Sequence, residues 1–152
     1  TICSHMICPF FIFQTKISNS RSTHSKTQTW RRHRCTDCKK TFTTKERIEW
    51  TGRIKISSSD RITDYSRERL LLSLVSASTH LDLPTGALTE LTDTIELALQ
   101  NEGFFTSDVQ PAEHIIQVAT TVLQRYDPNL ALQYVNYVYR NNPPLELVRR
   151  LI

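Results

Sequence analysis

The chain has 152 residues, 39% of them hydrophobic and 22% charged, and a formal charge of +4. That length holds one ordinary domain or two small ones and excludes a large catalytic barrel. The composition supports a modest core and argues against wholesale disorder.

The charge is unevenly spread. Up to Trp50 there are ten Lys/Arg against three Asp/Glu, and from Thr51 onward nine against twelve. A basic head on a mildly acidic body predicts that the head meets a polyanion and the body does something else. All four cysteines, Cys3, Cys8, Cys35 and Cys38, lie in the head. Clustered thiols including a Cys-x-x-Cys favour metal in a reducing compartment over disulfides. The apolar run Met6 to Phe13 is too short to span a bilayer and lacks the flanks of a secretion signal, so no membrane partner is expected. Met6 is the only methionine, which suggests a natural start there, with Thr1 to His5 upstream or foreign.

In chain order, Gln14 to Thr29 is filled with Ser, Thr, Asn and Gln and predicts a loop or irregular hairpin. Cys35 and Cys38 then sit on one tight turn behind Trp30-Arg31-Arg32-His33-Arg34. Two thiolates at that spacing pinch one zinc ion. A structural site needs two further donors. Cys8 is the third; His5 or Cys3 supplies the fourth, with His24 and His33 as remote alternatives. Three protein ligands and a water would leave a weaker, open site. A unit this small needs metal to fold. Arg21, Arg31, Arg32, Arg34, Lys39 and Lys40 are candidate DNA contacts, because a guanidinium fork fits phosphate and guanine edges. Period-two alternation separates Arg32 and Arg34 from Arg31 and His33, so only some can touch DNA together. Trp30 either stacks on a base or lids the small core.

Arg47 to Tyr65 predicts strand, turn, strand, with Ile48, Trp50, Ile54, Ile56 and Ile62 as β-formers and Ser57 to Asp60 as the turn. Helical periodicity follows. Asp64 or Ser66 caps a first helix whose inner face carries Leu70, Leu71, Leu74 and Val75. A second starts at Asp82-Leu83-Pro84, presents Leu88, Leu91, Ile95 and Leu99, and ends before Gly103. A third spans about Pro111 to Tyr126, burying Ile115, Val118, Val122 and Leu123. Asp127-Pro128 caps a fourth with Ala131, Tyr134, Val135 and Val138 inward. Leu145, Val148 and Leu151 suit a short terminal helix. The expected class is α+β: a small β-rich zinc-binding module over residues 1–47, an α-rich domain with a short hairpin over 48–140, and a tail or short helix over 141–152. No Ser/His/Asp set or working carboxylate pair is present, and an enzyme is not expected.

Met6-Ile7-Cys8-Pro9-Phe10, Ser20-Arg21, the run Arg31 to Cys38 and Phe42-Thr43-Thr44-Lys45-Glu46-Arg47 resemble the NrdR family, bacterial transcriptional repressors of ribonucleotide reductase genes. Tyr65-Ser66-Arg67-Glu68-Arg69-Leu70 and Tyr137-Val138-Tyr139-Arg140 resemble that family's downstream words, so the likeness covers Met6 to about Arg140. It implies a zinc ribbon followed by an ATP-cone. It further implies a bacterial cytoplasmic repressor that binds double-stranded promoter repeats and changes oligomeric state with ATP or dATP. The implied nucleotide residues are Lys55, Ser57, Arg61, Arg67, Arg69 and Tyr139. Three positions depart from the pattern. Phe11 stands where the first knuckle has its second cysteine, Ser57 where the hairpin has a phosphate-binding lysine, and Asp60 where its turn has a glycine. The alternative these departures suggest is a degenerate paralogue with weakened zinc and nucleotide binding, acting as an assembly or partner-binding module. A reductase enzyme is the remote third reading, from the cones that such enzymes carry.

Overall fold

A computed structural model describes residues 6–23, 27–140 and 142–151. The chain divides into two compact units, residues 1–49 and 50–152.

The first unit is a three-stranded antiparallel sheet in the order β1-β2-β3, with β1 Thr15–Ser22, β2 Gln28–Cys35 and β3 Thr41–Arg47. The loop expected across Gln14 to Thr29 is mostly strand. The local signal failed because β1 buries only Thr15 and leaves its other positions on the surface. Its ladder to β2 holds it, and an antiparallel sheet can stay wet on one face. One extra residue interrupts that ladder. Ile17 pairs with His33 but Asn19 pairs with Arg32, a bulge around Ser18. The Ser18 hydroxyl donates to the Arg32 carbonyl at 3.1 Å.

The second unit places a small sheet against helices. Strands β4 Lys55–Ser57 and β5 Ile62–Asp64 form the expected hairpin. A third strand, β6 Val109–Pro111, runs parallel to β4 and was not foreseen. Ile48 and Trp50 are not in a strand: Trp50 instead stacks flat on Phe105, ring centroids 4.1 Å apart.

Helix α1, Arg67–Ala77, starts where the Ser66 side chain accepts from the Arg69 amide. It buries Leu70 and Leu74, but Val75 is exposed and Leu71 only half-buried, so the inward stripe is narrower than expected. Helix α2, Ala87–Asn101, begins later than Pro84 because Gly86 sits at φ +87°, a left-handed turn no helix can include. Helices α3, Ala112–Tyr126, and α4, Pro128–Val138, meet at Asp127, whose carboxylate accepts from the Asn129 amide at 2.8 Å. A short α5, Leu145–Arg149, follows, and Leu151 joins the core rather than forming a free tail. That core is centred on Leu74, Ile95, Leu99, Phe104, Leu123, Leu130 and Val135.

A charged cluster lies inside this unit. The Arg67 guanidinium is bonded to the carboxylates of Glu96 and Asp93, and the Tyr65 hydroxyl donates to Glu96 at 2.8 Å. Burial works against the Arg67 charge, but Glu96 and Asp93 outweigh it and hold its pKa above the ordinary value.

Candidate metal centre and nucleic-acid interface

Cys8 precedes the bend of residues 9–12, the first turn among the described residues, Cys35 ends β2, and Cys38 lies on the turn into β3. Their sulfurs all fall within 4.8 Å of one another, and no disulfide joins them. The Cys8 and Cys38 sulfurs are 3.8 Å apart. A tetrahedral ion with Zn–S near 2.3 Å requires sulfurs about 3.8 Å apart, so the spacing fits zinc and is far too long for an S–S bond. Burial pushes against ionisation of Cys35. The backbone amides of Asp37 and Cys38 donate towards its sulfur, and with the neighbouring thiols they bring its pKa below the ordinary thiol value. Burial and the adjoining thiols hold Cys38 above it. Three thiols this close together ionise as a set only with a cation among them.

Among the described residues no fourth donor joins the three sulfurs. His33 is not it. Its ring stacks on Phe42 at 5.0 Å, with Nε2 2.9 Å from the Thr44 hydroxyl and Nδ1 3.5 Å from the Thr15 hydroxyl. The expected ligand His5 and the alternatives Cys3 and His24 lie outside the described residues. Phe11 is 52% exposed on the first turn.

The sheet sorts the cations. Residues directly opposite in a ladder share a face. Lys16 opposes Arg34, Asn19 opposes Arg32, and Arg21 opposes Trp30, which opposes Lys45 on β3. One face therefore carries Lys16, Arg21, Arg32, Arg34 and Lys45 around exposed Trp30. The Lys45 ammonium stands 5.2 Å from the Trp30 ring centre. Trp30 is thus no lid on the core. Arg31 takes the other face, where Glu46 pairs it at 2.8 Å. Without the bulge Arg21 would fall opposite Thr29 and face away from Arg32. The sequence reading left out Lys16 and Lys45, and only the register could have supplied them. Lys39 adopts φ +59° on the knuckle, its ammonium bonded to the Thr36 carbonyl, while Lys40 stands over the Phe10 ring at 4.7 Å.

The six residues implied for nucleotide binding are not gathered at one place. A cleft of about 190 Å³ opens between the hairpin, α1, α3 and α4, lined by Ile56, Tyr65, Arg69, Ser73, Ile115 and Tyr134 among others. Of the six, Arg69 alone lines it. Lys55 and Ser57 alternate with Ile56 on the opposite side of β4. Arg61 is exposed beside the hairpin turn, and Tyr139 caps α4 half-buried. Arg67 does not serve a phosphate: it is buried, and both ends of its fork are taken by Asp93 and Glu96.

Residues 6–46 match the family described as "Transcriptional repressor NrdR-like, N-terminal domain". Proteins named "Transcriptional repressor NrdR" are similar over a longer span. The one from Gloeobacter violaceus is 28% identical over 138 residues, covering 89% of this chain and 77% of its own. That of a Thermoanaerobacter species is 32% identical over 97 residues, 63% of this chain and 61% of its own. That of Fusobacterium nucleatum is 35% identical over 97 residues, 63% and 64% respectively. The match to the last two thus spans less than two thirds of their length. With its thiols gathered as a zinc ribbon requires, residues 6–46 match the NrdR-like N-terminal domain, and the chain is similar to the NrdR transcriptional repressors beyond it.

Proposed function

We propose that the protein is a zinc-dependent, DNA-binding transcriptional repressor whose second unit senses an adenine nucleotide and sets the oligomeric state. The observation that carries the DNA-binding part is the single basic face of Lys16, Arg21, Arg32 and Arg34, built on a sheet whose end is closed by Cys8, Cys35 and Cys38. Zinc supplies the cross-link between the first turn and the β2–β3 turn. The chain's own residues do the rest. The thiolates hold the ion, the bulge aligns the arginines, and the guanidinium forks take backbone phosphates or base edges.

Nucleotide sensing rests on the cleft beside Arg69. Ligand pockets usually measure about 300–1,000 Å³, so this one takes the base and leaves the phosphates at its mouth. ATP or dATP is the proposed effector. Assembly through the second unit would let several weak ribbons grip repeated sites at once, which multiplies affinity without new contacts. The relatives' shared name as repressors supports a regulator over an enzyme. Among the described residues no helix is long and apolar enough to cross a membrane. A bacterial cytoplasm is the compartment this function requires.

Binding of the zinc-loaded chain to promoter duplexes, measured against salt, tests this. Arg32→Ala and Arg34→Ala should each lower the slope of log affinity against log salt by about one. Adding ATP or dATP should shift the mass of the assembly. Salt-independent binding, or none with either nucleotide, contradicts the proposal. The exposed Phe11 at a ligand position favours one other reading, a paralogue that has shed zinc and works only through assembly. Protein that folds and assembles without zinc supports that second reading.

A further inference from the structure

The first knuckle ends in four consecutive apolar residues that stand half exposed or more. Phe10, Phe11 and Phe13 are about half exposed and Ile12 is 89% exposed. Their loop is nevertheless fixed in shape. The Cys8 amide donates to the Phe13 carbonyl at 2.8 Å, the Phe13 amide to the Phe11 carbonyl at 2.5 Å, and Ile7 bridges to Gln14 beneath them. A patch like this on an ordered loop marks a contact surface.

The charges around it say which kind. The Lys40 ammonium sits 4.7 Å from the Phe10 ring centre and 5.9 Å from that of Phe11. Behind the knuckle, a cleft of about 360 Å³ is lined by Lys16, Arg34, Cys35, Thr36 and Lys39. Lys16 and Arg34 are directly opposed across β1 and β2, a like-charge pair that repels unless an anion lies between. Covering this prow with a second copy of the chain would bring the same cations together and strand Lys40 in an apolar interface. A polyanion with flat apolar faces inside satisfies both features.

We propose, resting on the DNA-binding reading of the ribbon, that the Phe10–Phe13 loop is a wedge that enters between stacked base pairs of duplex DNA and kinks it. Lys40 and the Lys16–Arg34–Lys39 cleft take the phosphates on either side. Apolar side chains inserted at a base step unstack it and bend the duplex, and flexible pyrimidine–purine steps yield most easily. Phe11, lost to the metal site, becomes part of the wedge.

The test uses the full zinc-loaded chain and a duplex of about 30 base pairs with a central TA step, the adenine replaced by 2-aminopurine and the ends labelled for energy transfer. Wild-type protein is expected to raise the 2-aminopurine emission and shorten the end-to-end distance. The double variant Phe11→Ser/Ile12→Ser should bind about tenfold more weakly, keep the salt slope and leave the duplex straight. Phe11→Trp should keep the bend, and its emission should be quenched on binding even if the serine variant folds poorly. Duplex bound with its full salt slope but left straight overturns the wedge and spares the DNA-binding reading. A bend retained by a zinc-loaded serine variant does the same. No duplex binding at all removes both. Loss of binding to phosphatidylglycerol vesicles in the serine variant, with DNA bending unchanged, assigns the loop to a lipid surface and overturns the proposal.

Discussion

At the scale of single residues, two groups decide most. Cys8, Cys35 and Cys38 form a corner of a metal site, so replacing one should dismantle the ribbon rather than trim it. Cys38→Ser is expected to abolish stoichiometric zinc, read by metal analysis, and to collapse the β1–β3 sheet, read by amide exchange; retained protection in zinc-free protein would count against it. The second group is buried in the other unit. Glu96→Ala leaves the Arg67 charge underpaired and the Tyr65 hydroxyl without its acceptor. A cost of about 3–5 kcal/mol is expected in urea unfolding of that unit. A loss below about 1 kcal/mol would mean that water reaches Arg67.

Two buried tyrosines give that unit a pH dependence with a definite sign. Burial and the Glu96 charge push Tyr65 well up, and burial lifts Tyr134 to about 12 against the pull of its Ser73 hydrogen bond. Each is raised above its unfolded value of about 10, so its stabilisation is whole below that pH and drains away as pH rises past it. Stability should fall between about pH 10 and 12 by roughly 1.4 kcal/mol per unit for each tyrosine. Tyr134→Phe should remove one share of that slope, as followed by urea unfolding at stepped pH. An unchanged slope would place the Tyr134 hydroxyl in water.

Secondary-structure elements show where local signals suffice and where they stop. Ser66 and Asp127 announce their helices because capping is a matter of adjacent residues. Pro84 misleads because Gly86, two residues on, takes a left-handed turn and delays α2. Strand β6 has three residues and no hydrophobic alternation, and it exists only because β4 lies parallel to it. The same holds for β1, a polar stretch made a strand by its partner. Its bulge is the element with the largest consequence for function. Arg21→Ala removes the cation that the bulge sets opposite Trp30. The expected result is weaker DNA binding with zinc content unchanged. Equal affinity would show that Arg21 makes no contact.

For the molecule as a whole, the charge split between head and body and the clustered thiols point to a candidate metal site and a basic surface from sequence alone. What sequence could not give was spatial: which cations share a face, and that Arg67 is bound to Asp93 and Glu96 inside its own unit. Arg67 in the chain looks like any surface cation, because its partners lie 26 and 29 residues away. The two units also differ in what holds them. The second has a core of aliphatic and aromatic side chains, while the described part of the first buries Cys8, Thr15, His33 and Cys35. Such an interior is too small to stand without a cross-link.

The central claim is that metal shapes the basic sheet for DNA. Duplex affinity of the full chain, measured before and after zinc is removed with a chelator and then restored, tests it most directly. Binding should vanish on removal and return with zinc, while the second unit stays folded. Equal affinity in the zinc-free protein would contradict it.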